Sequence, residues 1–190
     1  TNYQNYTNNG QSIGSNLPPN SDRIAIKFKV NPFSNLKLTF GANMIRHSNI
    51  NELLVKKSPD EAIKYLKLPS QTGTLRTDGS VLNHPYSTGA YEYAWNHFMF
   101  MQSETRMYVW QGSVDAAYSL PLQHYGQMTV NLGYTFEYIK NNGVQNNMLP
   151  TGVYSADQAG LDKAYAAWKA GLHDDINHGF RLSFKYLYGL

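Results

Sequence analysis

Six basic side chains occupy the polar positions of alternating segments, and clustered positive charge attracts anions. They are Arg23, Lys27, Lys29, Lys37, Arg181 and Lys185. Because a confined aqueous space concentrates electric field lines, a wall carrying these residues would favour anionic solutes or anionic polymers. The alternative is that the charges only hydrate a polar interior, since charged interiors are ordinary in transmembrane barrels.

Two short motifs contain residue types that are used in catalysis or metal binding. The motif His173-Asp-Asp-Ile-Asn-His178 offers imidazole and carboxylate ligands, but its spacing fixes no ligand geometry, so we expect no metal and no other cofactor. In Arg46-His-Ser-Asn49, His and Ser are adjacent and point to opposite faces if a strand continues through them. A serine nucleophile needs its base within hydrogen-bond reach. We therefore predict no catalytic residues and no enzymatic activity.

The segment from His178 to Leu190 must position two of the basic residues, and it alternates between apolar and mostly polar positions. Its apolar positions are Phe180, Leu182, Phe184, Tyr186, Tyr188 and Leu190. This period predicts a strand with one apolar face. Its length is close to the ~9–11 residues that cross a bilayer as a tilted strand. An aromatic-rich final strand is typical of bacterial outer-membrane β-barrels.

Four further segments show the same alternation, at residues 23–30, 36–46, 106–120 and 127–139. The fold class that we predict is all-β, an antiparallel meander belonging to a transmembrane β-barrel. The residues expected to face the membrane are Phe40, Tyr108, Trp110, Leu132, Tyr134, Phe136, Phe184, Tyr186 and Tyr188. The mean hydropathy of −0.49 is compatible with this, because half of each barrel strand faces a polar interior.

The predicted organisation is a single β-barrel region with unequal connections. It consists of a loop (1–21), a hairpin (22–46), a long outer loop (47–104), a second hairpin (105–139), a second outer loop (140–177) and a C-terminal strand (178–190). Short periplasmic turns and long extracellular loops are typical of such barrels. Helices are predicted after the capping box Ser58-Pro-Asp-Glu61 and over residues 157–170.

The strand count and the composition limit the class of protein further. Five strands are fewer than the roughly eight of a small closed barrel, so either residues 68–104 contain more strands or the chain is the C-terminal part of a larger barrel. We favour the second interpretation, with the remaining strands supplied by upstream chain and assembly directed by the barrel-assembly machinery through the last strand. The net charge of +3 argues against a nucleic-acid partner, and the absence of Cys excludes disulfides and thiolate zinc sites.

Two segments, Gly14-Ser-Asn-Leu-Pro-Pro-Asn-Ser-Asp22 and Arg46-His-Ser-Asn49, resemble parts of capsule-assembly (Wzi-type) outer-membrane proteins. The resemblance implies a large barrel that is associated with surface polysaccharide. The terminal Leu190 departs from the aromatic residue that commonly ends an outer-membrane strand.

The function expected from these observations is non-enzymatic. It is that of a bacterial outer-membrane β-barrel, either a channel or a surface-polysaccharide (capsule) assembly or attachment protein. Its partners would be outer-membrane lipid and an anionic solute or surface polysaccharide. The alternative is a soluble or secreted β-barrel module whose apolar face binds a small apolar or carbohydrate ligand.

Overall fold

The structure is a computed structural model that describes residues 7–8, 11–12, 21–67, 102–122, 125–150 and 152–188. The strands are β1 (Thr7–Asn8), β2 (Gln11–Ser12), β3 (Ser21–Phe33), β4 (Leu36–Ser48), β5 (Arg106–Pro121), β6 (Gln127–Asn142) and β7 (His173–Leu187). The helices are α1 (Ile50–Lys57), α2 (Pro59–Leu66) and α3 (Gln158–Ala170).

The five long strands form one antiparallel sheet in the order β3-β4-β5-β6-β7. This meander confirms the predicted fold class, and the sheet formed by these strands is not closed. The main difference from the sequence prediction is at β7, which begins at His173, within the segment expected to be a loop. Strands β1 and β2 pair separately through Thr7 and Ser12, and they also lie in a predicted loop.

The register between β5 and β6 determines which side chains share a face. Trp110 opposes Tyr138 and Ala116 opposes Leu132, whereas Gln111 opposes Glu137. Directly opposed residues of antiparallel strands point to the same side of the sheet. The even-numbered positions of both strands therefore form an apolar face, and the odd-numbered positions form a mostly polar face.

The chain divides into two compact units. The sheet unit comprises residues 23–45, 108–140 and 174–190, and the helical unit comprises residues 1–22, 46–107 and 141–173. Helices α2 and α3 lie in the segments where helices were predicted, whereas α1 was not predicted. Asn49 caps α1 by accepting from the backbone N–H of Asn51, with Glu52 in the first turn and Lys56 in the last. Both charges complement the helix dipole.

The helical unit has a hydrophobic core of its own. The buried residues are Leu53, Leu54, Ala62, Leu66, Val144, Met148, Leu149, Leu161, Ala164 and Trp168. The sheet unit differs, because Val109 is the only one of its described apolar residues that is buried. Most large apolar side chains of the sheet unit are exposed or half-buried among the described residues.

Candidate functional site: the two faces of the sheet

The apolar face exposes an unusual number of large side chains. The exposed fraction is 81% for Phe180, 68% for Phe184, 64% for Phe28 and 59% for Leu132. Ordinary surfaces of monomeric soluble proteins rarely carry apolar patches larger than a few hundred Å². Since burying one such side chain stabilises a protein by about 1.5–3 kcal/mol, leaving the whole face in water would be strongly unfavourable.

The nine residues predicted to face the membrane follow the same alternation, and most are exposed. Those that are at least one-third exposed are Phe40, Trp110, Leu132, Phe136, Phe184, Tyr186 and Tyr188. Tyr108 and Tyr134 are half-buried by aromatic neighbours. The Tyr108 ring stacks on Trp110 with centroids 5.3 Å apart, and the Tyr134 ring lies 5.0 Å from that of Phe180.

The early start of β7 adds polar partners to these aromatic residues. The Tyr138 hydroxyl donates to the Asp174 carboxylate at 2.6 Å, and the Tyr134 hydroxyl lies 2.9 Å from His178 Nδ1. Asp174 was not predicted as a strand residue. Ile176, in register with the apolar positions from Phe180 onward, was the signal that could have extended the strand.

Aromatic residues lie at both ends of the apolar face and also at its middle, where Tyr134 opposes Val114. On β5, Tyr108 and Tyr118 are ten residues apart, and on the last segment His178 and Tyr188 have the same separation. At ~3.3 Å per residue this is ~33 Å along a strand. With a tilt of ~40° the height is ~25 Å, which is the height of the apolar band of a transmembrane barrel.

The polar face holds its side chains in rows that cross several strands. Asn43 donates to Gln111 at 2.7 Å, and Gln111 donates in turn to Glu137. Asn177 donates to the other carboxylate oxygen of Glu137 at 3.0 Å, so one row connects β4, β5, β6 and β7. The row lines a groove of about 600 Å³. Hydrogen bonds within the row satisfy these polar groups and favour one register between the neighbouring strands.

Two glycines on this face allow side chains of the neighbouring strands to lie flat. A Cβ added at Gly41 would lie 2.5 Å from the Ser113 hydroxyl, and one at Gly133 would lie 2.6 Å from Asp115 Oδ1. A side chain at either position would displace these groups. The glycines therefore leave room for the Ser113 hydroxyl and the Asp115 carboxylate to lie against the backbone of the neighbouring strand.

The structure separates the six basic residues into two groups rather than bringing them together. Arg23, Lys27, Lys29 and Lys37 lie on β3 and β4, at one side of the sheet, and Arg181 and Lys185 lie on β7 at the opposite edge. Arg181 forms an ion pair with Asp115. Among the described residues, no acidic side chain lies within ion-pair distance of the other five.

The Arg46-to-Asn49 motif links the ends of β3 and β4 to α1 within the helical unit. Arg46 forms a two-pronged ion pair with Asp22, and His47 Nδ1 lies 2.7 Å from the Ser21 hydroxyl. The Asn49 amide donates to the carbonyl oxygen of Val144 at 2.7 Å. These contacts give the motif a structural role.

A buried carboxylate connects the remaining parts of the helical unit. Glu52 is wholly buried and accepts from the backbone N–H and the hydroxyl of Thr105, at 2.7 and 2.6 Å. The Tyr165 hydroxyl donates to it at 3.2 Å, and Lys169 Nζ lies 3.7 Å away. The carboxylate therefore joins α1 and α3 to the segment before β5.

No metal site is found in the part of the chain that the structure describes, where no three His, Asp or Glu side chains cluster suitably. No helix in the described ranges combines the length and the apolar character needed to span a bilayer. No family model, no curated protein and no solved structure matches this chain.

Proposed function

We propose that the chain forms part of a bacterial outer-membrane β-barrel, with the apolar face against lipid and the polar face toward the interior. Its role is non-enzymatic, either as a channel or in the assembly or attachment of surface polysaccharide. One observation carries the proposal. A five-stranded meander exposes an apolar face rich in aromatic residues, while hydrogen-bonded rows occupy the opposite face.

Lipid explains the exposed face better than a ligand pocket does. In a soluble barrel the apolar residues would line the interior, and the polar residues would face water. Here the hydrogen-bonded rows line the groove, and the large apolar side chains of the other face are exposed. An outward-facing apolar face and a polar interior are the arrangement of transmembrane barrels. The soluble binding module is therefore the weaker candidate.

Further strands are needed to complete such a barrel. An open sheet has unpaired backbone N–H and C=O groups along its edges, and each would cost several kcal/mol in hydrocarbon. We propose that strands beyond the five described here pair with the outer edges of β3 and β7. Recognition of β7 by the barrel-assembly machinery would place this sheet in the outer membrane.

The two roles within this proposal have different support. The channel role rests on the basic side chains of the polar face, which would select among solutes by charge. The surface-polysaccharide role rests on the resemblance of the segments 14–22 and 46–49 to capsule-assembly proteins. Both predict long segments outside the cell and short turns in the periplasm.

Quenching of tryptophan fluorescence by brominated lipids tests the proposal. Replacing Trp95 and Trp168 with Phe leaves Trp110, on the apolar face, as the single tryptophan. The matched control adds Trp110→Phe and Gln111→Trp, which moves the indole to the polar face of the same strand. We expect strong quenching for the first protein and weak quenching for the control. Equal quenching, or none in either protein, would contradict the proposal.

A further inference from the structure

The part of the β3–β4 hairpin that lies in the sheet unit, residues 23–45, carries positive charge that no acidic residue within it balances. Residues 23–45 contain Arg23, Lys27, Lys29 and Lys37 and no Asp or Glu. The rest of the sheet unit, residues 108–140 and 174–190, contains four acidic residues and three basic ones, a net charge of −1. We call the four basic residues of the hairpin the cationic strip.

The strip shares the grooves of the polar face with two carboxylates, Asp115 and Glu137, which have hydrogen-bond partners of their own. Arg23 and Lys27 line the groove beside Thr39, and Lys37 lines the adjoining groove, also beside Thr39. Lys29 shares this face by strand alternation. Of the acids on the central strands, Asp115 is paired with Arg181. Glu137 accepts from Gln111 and Asn177.

The spacing along the strip decides which anions it suits. Arg23 and Lys27 are four residues apart, about 13 Å, and Lys27 and Lys29 are two apart, about 7 Å. One small monovalent ion cannot contact groups spread over this length. Two flexible lysine side chains can share one ion that carries several negative oxygens, because each ammonium group acts as a mobile point charge.

We propose that the cationic strip binds oxyanions carrying two or more negative charges, of the phosphate and pyrophosphate class. The proposal rests on the proposed function, since it requires the polar face to be open to water. Nucleic acid is a poorer occupant, because the odd-numbered positions from Arg23 to Asn31 and from Lys37 to Asn43, which surround the strip, carry no aromatic side chain for base stacking.

Calorimetric titration of pyrophosphate into the purified full chain in detergent at low salt tests the strip. The strip variant combines Arg23→Gln, Lys27→Gln, Lys29→Gln and Lys37→Gln. The matched control combines Lys57→Gln, Lys67→Gln, Lys140→Gln and Lys163→Gln, which removes the same charge from exposed positions outside the strip. We expect the strip variant to bind at least about tenfold more weakly, because local field focusing is lost, and the control to change much less.

A third variant distinguishes an effect of lost charge from an effect of misfolding. Replacing Lys27, Lys29 and Lys37 with Arg preserves the charge and should preserve binding of pyrophosphate. Equal weakening in the strip and control variants, or no binding by the unaltered chain, would overturn the proposal. Binding of polygalacturonate without binding of pyrophosphate would also overturn it, in favour of an acidic polymer.

A second measurement distinguishes failure of the strip proposal from failure of the membrane proposal. Fluorescence quenching by brominated lipid, measured on the strip variant, should remain unchanged, because the strip lies on the opposite face from Trp110. Retained quenching with lost binding supports the strip. Binding without any quenching would count against the membrane location alone.

Discussion

Arg181 on β7 donates a hydrogen bond to Asp115 on β5, and its guanidinium group passes over Gly133 of the intervening strand β6. A Cβ at position 133 would lie 2.6 Å from Asp115 Oδ1 and 3.4 Å from Arg181 Nε. The missing side chain of one strand thus allows its two neighbours to form an ion pair.

This relationship predicts a specific coupling between two substitutions. Gly133→Ala should be nearly neutral alone, because the loss of an exposed ion pair, worth about 0–1 kcal/mol, offsets the gain from replacing a strand glycine. In an Arg181→Gln background, Gly133→Ala should instead stabilise by roughly 0.5–1 kcal/mol. Urea unfolding of the four proteins measures the coupling. Identical effects of Gly133→Ala in both backgrounds would show that the two residues are independent.

A second prediction tests which face meets lipid. Leu132→Arg should impair insertion, because an arginine at a lipid-facing midplane site costs about 2–4 kcal/mol. Asn131→Arg is the control, since Asn131 lies on the polar face, where its amide donates to Ser183. The amount of each variant recovered in the outer-membrane fraction is the measurement. Similar recovery of both would contradict the assignment of faces.

A third prediction concerns topology. The chain has no Cys, so a single introduced thiol is the only site for a maleimide that cannot cross membranes. On intact cells, Asp162→Cys in α3 should be labelled, and Ser34→Cys in the turn between β3 and β4 should not. Labelling of both after the outer membrane is opened provides the control. The reverse pattern on intact cells would invert the orientation.

A fourth prediction concerns the buried carboxylate of the helical unit. Glu52→Leu should destabilise this unit by about 1–3 kcal/mol, because the backbone N–H and hydroxyl of Thr105 lose their acceptor. Glu104→Gln is the control, since Glu104 is mostly exposed and pairs with Lys56. Trp168, which lies in the core of this unit, reports its unfolding in urea when Trp95 and Trp110 are replaced with Phe. Equal midpoints for both variants would contradict the role of Glu52.

A fifth prediction concerns pH. The Ser155 hydroxyl and the backbone N–H of Gly160 donate to Asp157, and these bonds lower the pKa of the carboxyl below its ordinary value of 3.8. The ionised cap therefore stabilises the start of α3 above pH 3.8, and this contribution is lost as the pH falls through the folded-state pKa. In Asp157→Asn, the Gly160 amide resonance should no longer titrate in this range. A titration unchanged by the substitution would assign it to another group.

The sequence predicted the sheet well because strand alternation is a local signal. It placed β7 too late because Asp and Asn disfavour strands, whereas in the fold Tyr138 satisfies Asp174 across the sheet. Helix α1 was not predicted, although Asn49 and Glu52 have the spacing of a helix start; the contact of Asn49 with the Val144 carbonyl, between distant parts of the chain, could not be predicted locally. The division of the basic residues followed from strand order, which alternation does not specify.

The helical unit has a consequence for the order of folding. Its core brings together Leu54, Met148 and Leu161, and the whole of β5 and β6 lies between the first of these and the other two in sequence. Contacts over such separations require closure of long loops, which is slow. The unit can consolidate only after the chain through α3 is available. The core around Leu54 therefore forms only after strands β5 and β6 are part of the chain, so the helical unit is completed late in folding.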